Sequence, residues 1–534
     1  MMTEARTYAA AIDALNSLQS NAATIEAIRK SGKTVNELNE PEMTEYLARI
    51  GHKREELDEI NVIHITGTKG KGSTAAFCDS LLRTVRTKGS EKIGLYTSPH
   101  MVAARERIRI DGVPLSEETF AKYFWEVWER LEQNTERQFS VTPLRPIYFR
   151  FMTLLAFHVF ISERVAATLL EVGIGGLYDS TNIVSHPVVT GVTPLGLDHT
   201  AILGNTIEEI ALQKAGIFKE GAPALSTQQG ETSLQVLRQY AEKVHASKFE
   251  VVPELPAVCV RALGLPGDHQ RANASLAVGL VREFVASEKG RKLFPGAVDL
   301  FQTDGEQVSD AVAHGLEHAF WPGRCQTVPA AVSSGATYFL DGAHTIESIQ
   351  FCVQWYLKEV LPSKESRVLI FNCTNGRSGM TLLRTVLEEL EKTMSKEEAK
   401  VFFAQIYFCT NNTFADGGSA SGTSRISHRP RLACSRPERP CKHGTAAGAF
   451  ARLVLAPRPP GAGARSADRV GRRPGQGLGR AEHRACDAGC QAGRWNAERI
   501  CRRQPAPRWR RHGPPPDAGP ARRSPGQCSG VAST

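Results

Sequence analysis

At 534 residues, with 41% hydrophobic and 23% charged residues, the chain has the balance of a globular protein and the length for two or three domains. The longest apolar run, Phe149 to Val159, is interrupted by Arg150 and His158 and falls short of the roughly 18 residues of a membrane helix, so no membrane partner is expected. The formal net charge of +9 is unevenly placed: the chain up to Asp416 carries roughly −8 and the remainder roughly +17, from about 22 arginines and a single lysine.

The opening MMTEARTYAA has neither a basic-then-apolar signal nor an acid-free transit sequence, because Glu4 arrives at once. A cytoplasmic location is expected; a mitochondrial form stays open, although no transit peptide is seen. Without a secretion signal the twelve cysteines read as free thiols, with Cys78 and Cys352 as small core residues.

Tyr8 to Ile60 has helical spacing, with apolar residues at Ile12, Leu15, Leu18 and again at Met43, Tyr46, Leu47 and Ile50. Asn61 to Thr66 reads as a short buried strand, followed by a glycine-rich turn and a helix over Thr74 to Val85. Further strands are predicted at Lys92–Thr97, Ala166–Val172, Pro187–Val192 and Ala222–Ser226. This alternation predicts an α/β fold, a parallel-sheet domain over residues 1–315 with helices on both faces. From 316 to 416 a smaller Rossmann-like α/β domain is expected, with strands at Thr337–Leu340, Arg367–Phe371 and Gln405–Cys409 and helices at Ile346–Val360 and Met380–Thr393.

Residues 417–534 turn to Arg, Pro, Gly, Ala and Cys, a composition that buries too little apolar surface to offset chain entropy. Two readings stand for this stretch: a disordered basic tail able to bind nucleic acid, or the product of a shifted reading frame. Cys486 and Cys490 lack the second pair that a zinc finger needs.

The strongest local signal is Gly67-Thr68-Lys69-Gly70-Lys71-Gly72-Ser73-Thr74 between strand and helix. Glycines let backbone amides turn towards phosphate oxygens, and the helix N-terminus adds its dipole. Lys71 would neutralise phosphate, and Ser73 or Thr74 would face a magnesium ion. The spacing departs from GxxxxGK[ST], and the plain alternative is a glycine-rich surface turn with a stray lysine.

GTKGKGST resembles the nucleotide loop of the Mur-type amide ligases, in particular folylpolyglutamate and dihydrofolate synthases. Further segments match in the family's order: Thr97-Ser98-Pro99-His100, Arg105-Glu106-Arg107-Ile108, Pro146-Ile147-Tyr148-Phe149, Glu171-Val172-Gly173-Ile174-Gly175-Gly176 with Asp179, Thr181 and Asn182, Leu197-Asp198-His199-Thr200, and Gln213-Lys214-Ala215-Gly216-Ile217-Phe218. Gly267-Asp268-His269-Gln270 with Asn273, Trp321-Pro322-Gly323-Arg324 and Leu340-Asp341-Gly342-Ala343-His344-Thr345 follow. The resemblance spans about Tyr8 to Asp416.

It implies ATP and Mg2+ as cofactors, with a monovalent cation as an open addition, and folate, L-glutamate and ATP as small-molecule partners; a monomer is expected because the sequence shows no heptads or large apolar stripe. Gly67, Thr68, Gly70, Lys71, Gly72, Ser73, Thr74, His269, Gln270, Asn273, Arg324, Asp341 and His344 are then ATP contacts. Ser98, Glu171 and His199 are metal ligands, and Lys71, Lys214 and His199 are catalytic, Lys214 as a carbamate. From the residues alone Glu171 could instead cap a helix, His199 sit satisfied in a loop, Lys214 end an exposed helix and Arg324 pair within a linker. Tyr148 and Phe149 are candidates to stack on a pterin, or equally core residues.

The implied reaction is ATP-dependent joining of glutamate to the γ-carboxyl of folate polyglutamates through an acyl phosphate. Alternatives are dihydrofolate synthesis, a bifunctional enzyme, or an inactive nucleotide-binding protein whose basic tail binds nucleic acid. The family's second domain needs more elements after Cys409 than this composition supplies, so poor folding of the C-terminal part and weak or no activity are expected of this chain.

Overall fold

The computed structural model describes residues 6–408, except 20–37, 87–88, 90, 140–141, 257–262, 303–307, 330–335, 364 and 374–377, together with 453–457. Everything expected of the remainder of the stretch after Asp416, including the reading-frame question, lies outside the described residues.

The first sheet has eight strands: β1 (Val62–Thr66), β2 (Ile93–Tyr96), β3 (Ile108–Ile110), β4 (Val113–Pro114), β5 (Ala167–Glu171), β6 (Val189–Val192), β7 (Pro223–Ser226) and β8 (Lys248–Val251). Their order is β4-β3-β2-β5-β1-β6-β7-β8. From β2 to β8 all neighbours are parallel, whereas β3 and β4 form an antiparallel edge. Every residue of β1 and β5 is buried, which is why both read as near-continuous apolar runs.

Alternation along these strands sends side chains to two cores. Ile63, Ile65 and Leu169 join helices Lys71–Val85, Gln270–Ala286 and Asp310–Glu317 on one face. Val62 and Leu170 join helices Asn39–Arg49, Glu117–Gln133 and Tyr148–Glu163 on the other. The Tyr148–Glu163 helix buries Phe151, Phe157 and Phe160 completely, each contributing about 1.5–3 kcal/mol. The two polar residues that interrupt its apolar run are both engaged, Arg150 with Glu42 and His158 with Glu126. Among the described residues no helix is long and apolar enough to cross a membrane.

A second sheet contains β9 (Gln326–Pro329), β10 (Thr337–Asp341), β11 (Arg367–Phe371), β12 (Gln405–Phe408) and β13 (Leu453–Pro457), in the order β12-β11-β13-β10-β9. Helices Ile346–Val360 and Gly379–Glu391 cover it through a core centred on Ile349, Trp355, Tyr356, Leu369 and Leu390. This sheet is less regular than a Rossmann sheet. Only β11 and β12 pair in parallel, while β13 runs antiparallel to both β10 and β11, and β9 antiparallel to β10. β13 comes from the stretch whose overall composition argued against structure; its Leu-Val-Leu-Ala run is a local apolar exception.

Candidate functional site

The glycine loop leaves the C-terminal end of β1 and enters the helix at Lys71, one turn earlier than the periodicity indicated. Gly70 caps that helix in the left-handed region at φ 87°, and a β-carbon there would stand 2.1 Å from Asn273 Oδ1. Only glycine meets both conditions. The loop is anchored from below: the Thr68 and Lys69 amides donate to the Pro194 carbonyl at 3.1 and 3.2 Å, and Thr193 Oγ1 donates to the Lys69 carbonyl at 2.6 Å.

Two amines converge beneath it. Lys71 Nζ donates to the Gly67 carbonyl at 2.9 Å, and Lys214 Nζ, from the last turn of the helix Ile207–Ala215, donates to the same oxygen at 2.8 Å. Lys214 is only 3% exposed, which removes the exposed-helix-end alternative. Burial pushes its pKa well below the ordinary ammonium range; Lys71 adds to the fall, and Asp198 and Asp179 oppose it. Lys71 is likewise lowered, first by burial, with Glu171, Asp198 and Asp179 holding it up.

Glu171 ends β5, beside β1, and is 4% exposed. Burial raises its pKa to about 7 against the pull of Lys71, the Ser98 amide, Arg324 and Arg107. Its Oε2 accepts from the Ser98 amide at 3.1 Å, so Ser98 lies at the carboxylate. The helix-capping alternative fails here: Asp179 caps the following turn, accepting from the Thr181 amide and hydroxyl at 3.0 and 2.7 Å and from the Gly173 and Ile174 amides at 3.2 and 3.1 Å. Above Gly72 a β-carbon would lie 3.4 Å from Trp321 Nε1 and 3.6 Å from Glu171 Oε2, which places the indole and the carboxylate together over the loop. Trp321 is held under the Arg109 guanidinium at 4.7 Å.

Ser73 and Thr74 are buried, and Thr74 Oγ1 has no protein partner. The unpartnered Thr74 hydroxyl and the Glu171 carboxylate over Gly72, both on the loop and strand ends of this site, are oxygen donors of the kind a hard cation such as Mg2+ takes. His199 is exposed, with φ 52°, at the N-cap of the short helix Thr200–Leu203, next to Asp198, whose charge acts on both Lys71 and Lys214. Among the described residues no three His, Cys, Asp or Glu side chains gather as a metal cluster.

The second domain brings its own group to the loop. Asp341, ending β10, accepts from the Cys325 and Ala343 amides, both at 2.7 Å. Burial raises its pKa against the opposing charge of Arg324. A β-carbon at Gly342 would stand 2.5 Å from Arg324 Nη1, so the guanidinium lies along the Gly342 backbone. His344 turns back through Nδ1 to the Gly342 carbonyl at 2.9 Å. His269 stacks on Phe351 at 4.8 Å, and its Nδ1 and Asn273 Oδ1 are buried without a protein partner. Asn273 Nδ2 donates to Gln270 Oε1 at 2.9 Å.

Phe149 covers the glycine turn, since a β-carbon on Gly173 would meet its Cζ at 2.3 Å. Tyr148 faces the Arg107 guanidinium at 5.4 Å. Both also pack against the core behind them. A separate cavity of about 1030 Å³, lined by Arg49, Arg54, Tyr178, Lys219 and Tyr240 among others, contains none of these residues.

Asp198, Asp179, Arg107 and Trp321 were quoted within motifs but not singled out as site residues. Adjacency of Asp198 to His199 was the available signal; the approach of Trp321 to the loop depends on the fold.

Fold and site together define an α/β protein of two sheets in which Arg324, near the start of the second sheet, acts on the glycine loop that follows the central strand of the first. Over 425 residues the chain is 43% identical to the probable folylpolyglutamate synthase of Schizosaccharomyces pombe, covering 78% of this chain and 80% of that protein. It is 42% identical over 426 residues to the folylpolyglutamate synthase of Neurospora crassa, with 78% and 77% covered. The chain belongs to the folylpolyglutamate synthase family. Among solved structures, Mycobacterium tuberculosis folylpolyglutamate synthase complexed with ADP and AMPPCP matches with TM-score 0.53 and 25% identity over 70% of this chain and 80% of that one. The apo form of the L. casei enzyme shares the fold, with TM-score 0.56 and 22% identity over 75% and 88%. No family model matches the chain.

Proposed function

We propose that this chain joins L-glutamate to the γ-carboxyl of folate and its polyglutamates at the expense of ATP. The observation that carries the reading is the half-buried Lys71, in the helix start just after β1, within electrostatic reach of the buried Glu171 at the end of the adjacent parallel strand β5, where an open α/β sheet binds ligands. The loop amides and Lys71 hold the phosphates, while Arg324, Asp341, His344, His269, Gln270 and Asn273 meet the nucleotide from the other side. Glu171, Ser98, the loop hydroxyls and His199 would hold Mg2+. When bound, the ion neutralises the oxygens of the transferring phosphoryl group.

An oxygen of the terminal carboxylate of the folate tail attacks the γ-phosphorus; the new O–P bond gives an acyl phosphate as the bond from the γ-phosphorus to the bridging oxygen of ADP breaks. The free amine of glutamate then attacks the acyl carbon; the amide forms, inorganic phosphate leaves and the amine proton passes to solvent. Lys71 stabilises charge on the transferring group, and the protein acts mainly by position and electrostatics. Lys214, with its pKa lowered, is suited to carry a carbamate beside the metal. Tyr148 and Phe149 present rings to the pterin. We place the enzyme in the cytosol as a monomer.

The test is transfer of labelled glutamate to tetrahydrofolate and, separately, to dihydropteroate. Transfer to tetrahydrofolate alone is expected, and Lys71→Ala should reduce it by at least ~10²-fold, the scale of losing one preorganised charge contact. ATP-driven glutamylation untouched by Lys71→Ala refutes the reading.

A further inference from the structure

Of the two lysines in the glycine loop, only Lys71 turns inward. Lys69 has its backbone committed to the Thr193–Pro194 anchor on both sides, and its side chain leaves the loop for the second domain. There Nζ donates to Thr345 Oγ1 and to Glu347 Oε2, the latter at 2.7 Å. Thr345 is the N-cap of the helix Ile346–Val360, and Glu347 stands in its first turn. The hydrogen bonds continue from that point. The Ser348 hydroxyl contacts Thr345 Oγ1 at 3.0 Å and accepts from the His344 amide at 3.0 Å, His344 Nδ1 meets the Gly342 carbonyl, and Asp341 holds the Ala343 amide.

We propose that Lys69 is a positioning residue, a latch from the nucleotide loop to the Thr345–Glu347 helix start that sets the Asp341–His344 turn over the nucleotide. This inference rests on the reading of the loop as an ATP site. The latch connects the two halves of the candidate site at the place where they must register to within an ångström or so for phosphoryl transfer. Glu347 is drawn below the usual carboxylate range by the Lys69 hydrogen bond first, consistent with a charged pair. The competing role for a lysine in such a loop is direct contact with phosphate, and the two roles differ in sign at Glu347. A latch loses by removal of the carboxylate; a phosphate contact gains, because a negative charge beside the triphosphate disappears.

The experiment measures the dissociation constant of Mg2+ with the non-hydrolysable analogue AMPPCP by calorimetry on the full chain. Lys69→Met and Glu347→Gln should each weaken binding by roughly 2- to 5-fold, the range of a partly exposed ion pair. Each charge reversal alone, Lys69→Glu or Glu347→Lys, should weaken it further, and the double swap should return to within about 2-fold of the unaltered protein. Glu347→Gln binding as well as or better than the unaltered protein, or a double swap no better than Lys69→Glu, overturns the proposal. Amide exchange over Thr345–Ile349 without nucleotide gives a second reading: Lys69→Met should speed it, and unchanged protection overturns the latch. If the unaltered protein fails to bind AMPPCP, the ATP-site reading falls, and the latch is decided by exchange alone.

Discussion

Gly70 is where the loop and the second half of the first core come closest, and substituting it separates two physical effects. In Gly70→Ala the new β-carbon would lie 2.1, 2.8 and 3.0 Å from the Oδ1, Cγ and Nδ2 atoms of Asn273. The φ of 87° is also left-handed, costing an L-residue about 1–2 kcal/mol. Relieving the overlap requires the amide or the loop to move by about an ångström, an overpacking cost of about 1–3 kcal/mol. Asn273→Ala removes all three clashing atoms. The double variant should therefore recover the overpacking part and retain the backbone part, a coupling of about 1–3 kcal/mol in a double-mutant cycle. Urea unfolding gives the stability side of that cycle, and calorimetric titration with AMPPCP gives the binding side. Single-variant effects that add to within ~0.5 kcal/mol in both would refute the placement of Asn273 against the loop.

Lys214→Met should leave stability within about 1–2 kcal/mol, since a buried charge is often replaced by an apolar group at little cost and Lys71 still donates to the Gly67 carbonyl. Glutamate transfer should fall by at least ~10²-fold; normal turnover with a large loss of stability, seen by parallel assay and urea unfolding, would reduce Lys214 to a structural role. His158 is buried between His52, Glu126 and the edge of Tyr123, with Arg130 also near. Burial holds it down to about 4, despite the Glu126 hydrogen bond. A base lowered on folding stabilises fully above its unfolded pKa near 6.5 and loses that contribution as pH falls through about 4. His158→Gln should therefore flatten the fall in unfolding free energy between pH 6.5 and 4 by up to about 3 kcal/mol; an unchanged slope counts against it. On the edge strand β12, Ile406, Tyr407 and Phe408 are 47%, 53% and 69% exposed, an invitation to edge pairing. Tyr407→Lys should lower aggregation measured by light scattering, and equal scattering would show that this edge is covered in solution.

How far the fold could be read from sequence depended on burial on both sides. β1, β5 and β11 are legible to within a residue or two because they are mostly buried and mostly apolar between turns, His64 and Thr168 notwithstanding. β3 escaped because Arg109 interrupts three residues, and β8 because Lys248 and Glu250 serve ion pairs with Glu283 and Arg282 rather than a core. The irregularity of the second sheet could not be read locally, since β13 inserts from about eighty residues beyond β11. At the site, Lys71, Glu171 and Lys214 were legible through motifs, whereas Trp321 was not. Its indole reaches Gly72 only because the chain returns to the first core after the Gln270–Ala286 and Asp310–Glu317 helices.

The electrostatics of the ligand-free site explain why such a buried arrangement is useful. Lys71 and Lys214 donate to one carbonyl, and desolvation lowers both, with Arg324 adding to the fall at Lys71 and Lys71 adding to it at Lys214. Glu171 is pushed the opposite way, towards its neutral form, because the nearby cations do not repay its burial. Burial thus disfavours the charged form of each group. A triphosphate supplies negative charge to the amines, and a divalent cation supplies positive charge to the carboxylate, so both deficits are met by the same ligand. The cost of burying these groups is met during folding, before the reacting groups arrive, and their alignment requires no rearrangement when charge moves between oxygens. Lys69, half-exposed and directed outwards, lies outside this arrangement. The loop therefore divides its two lysines between holding charge within one domain and joining that domain to the next.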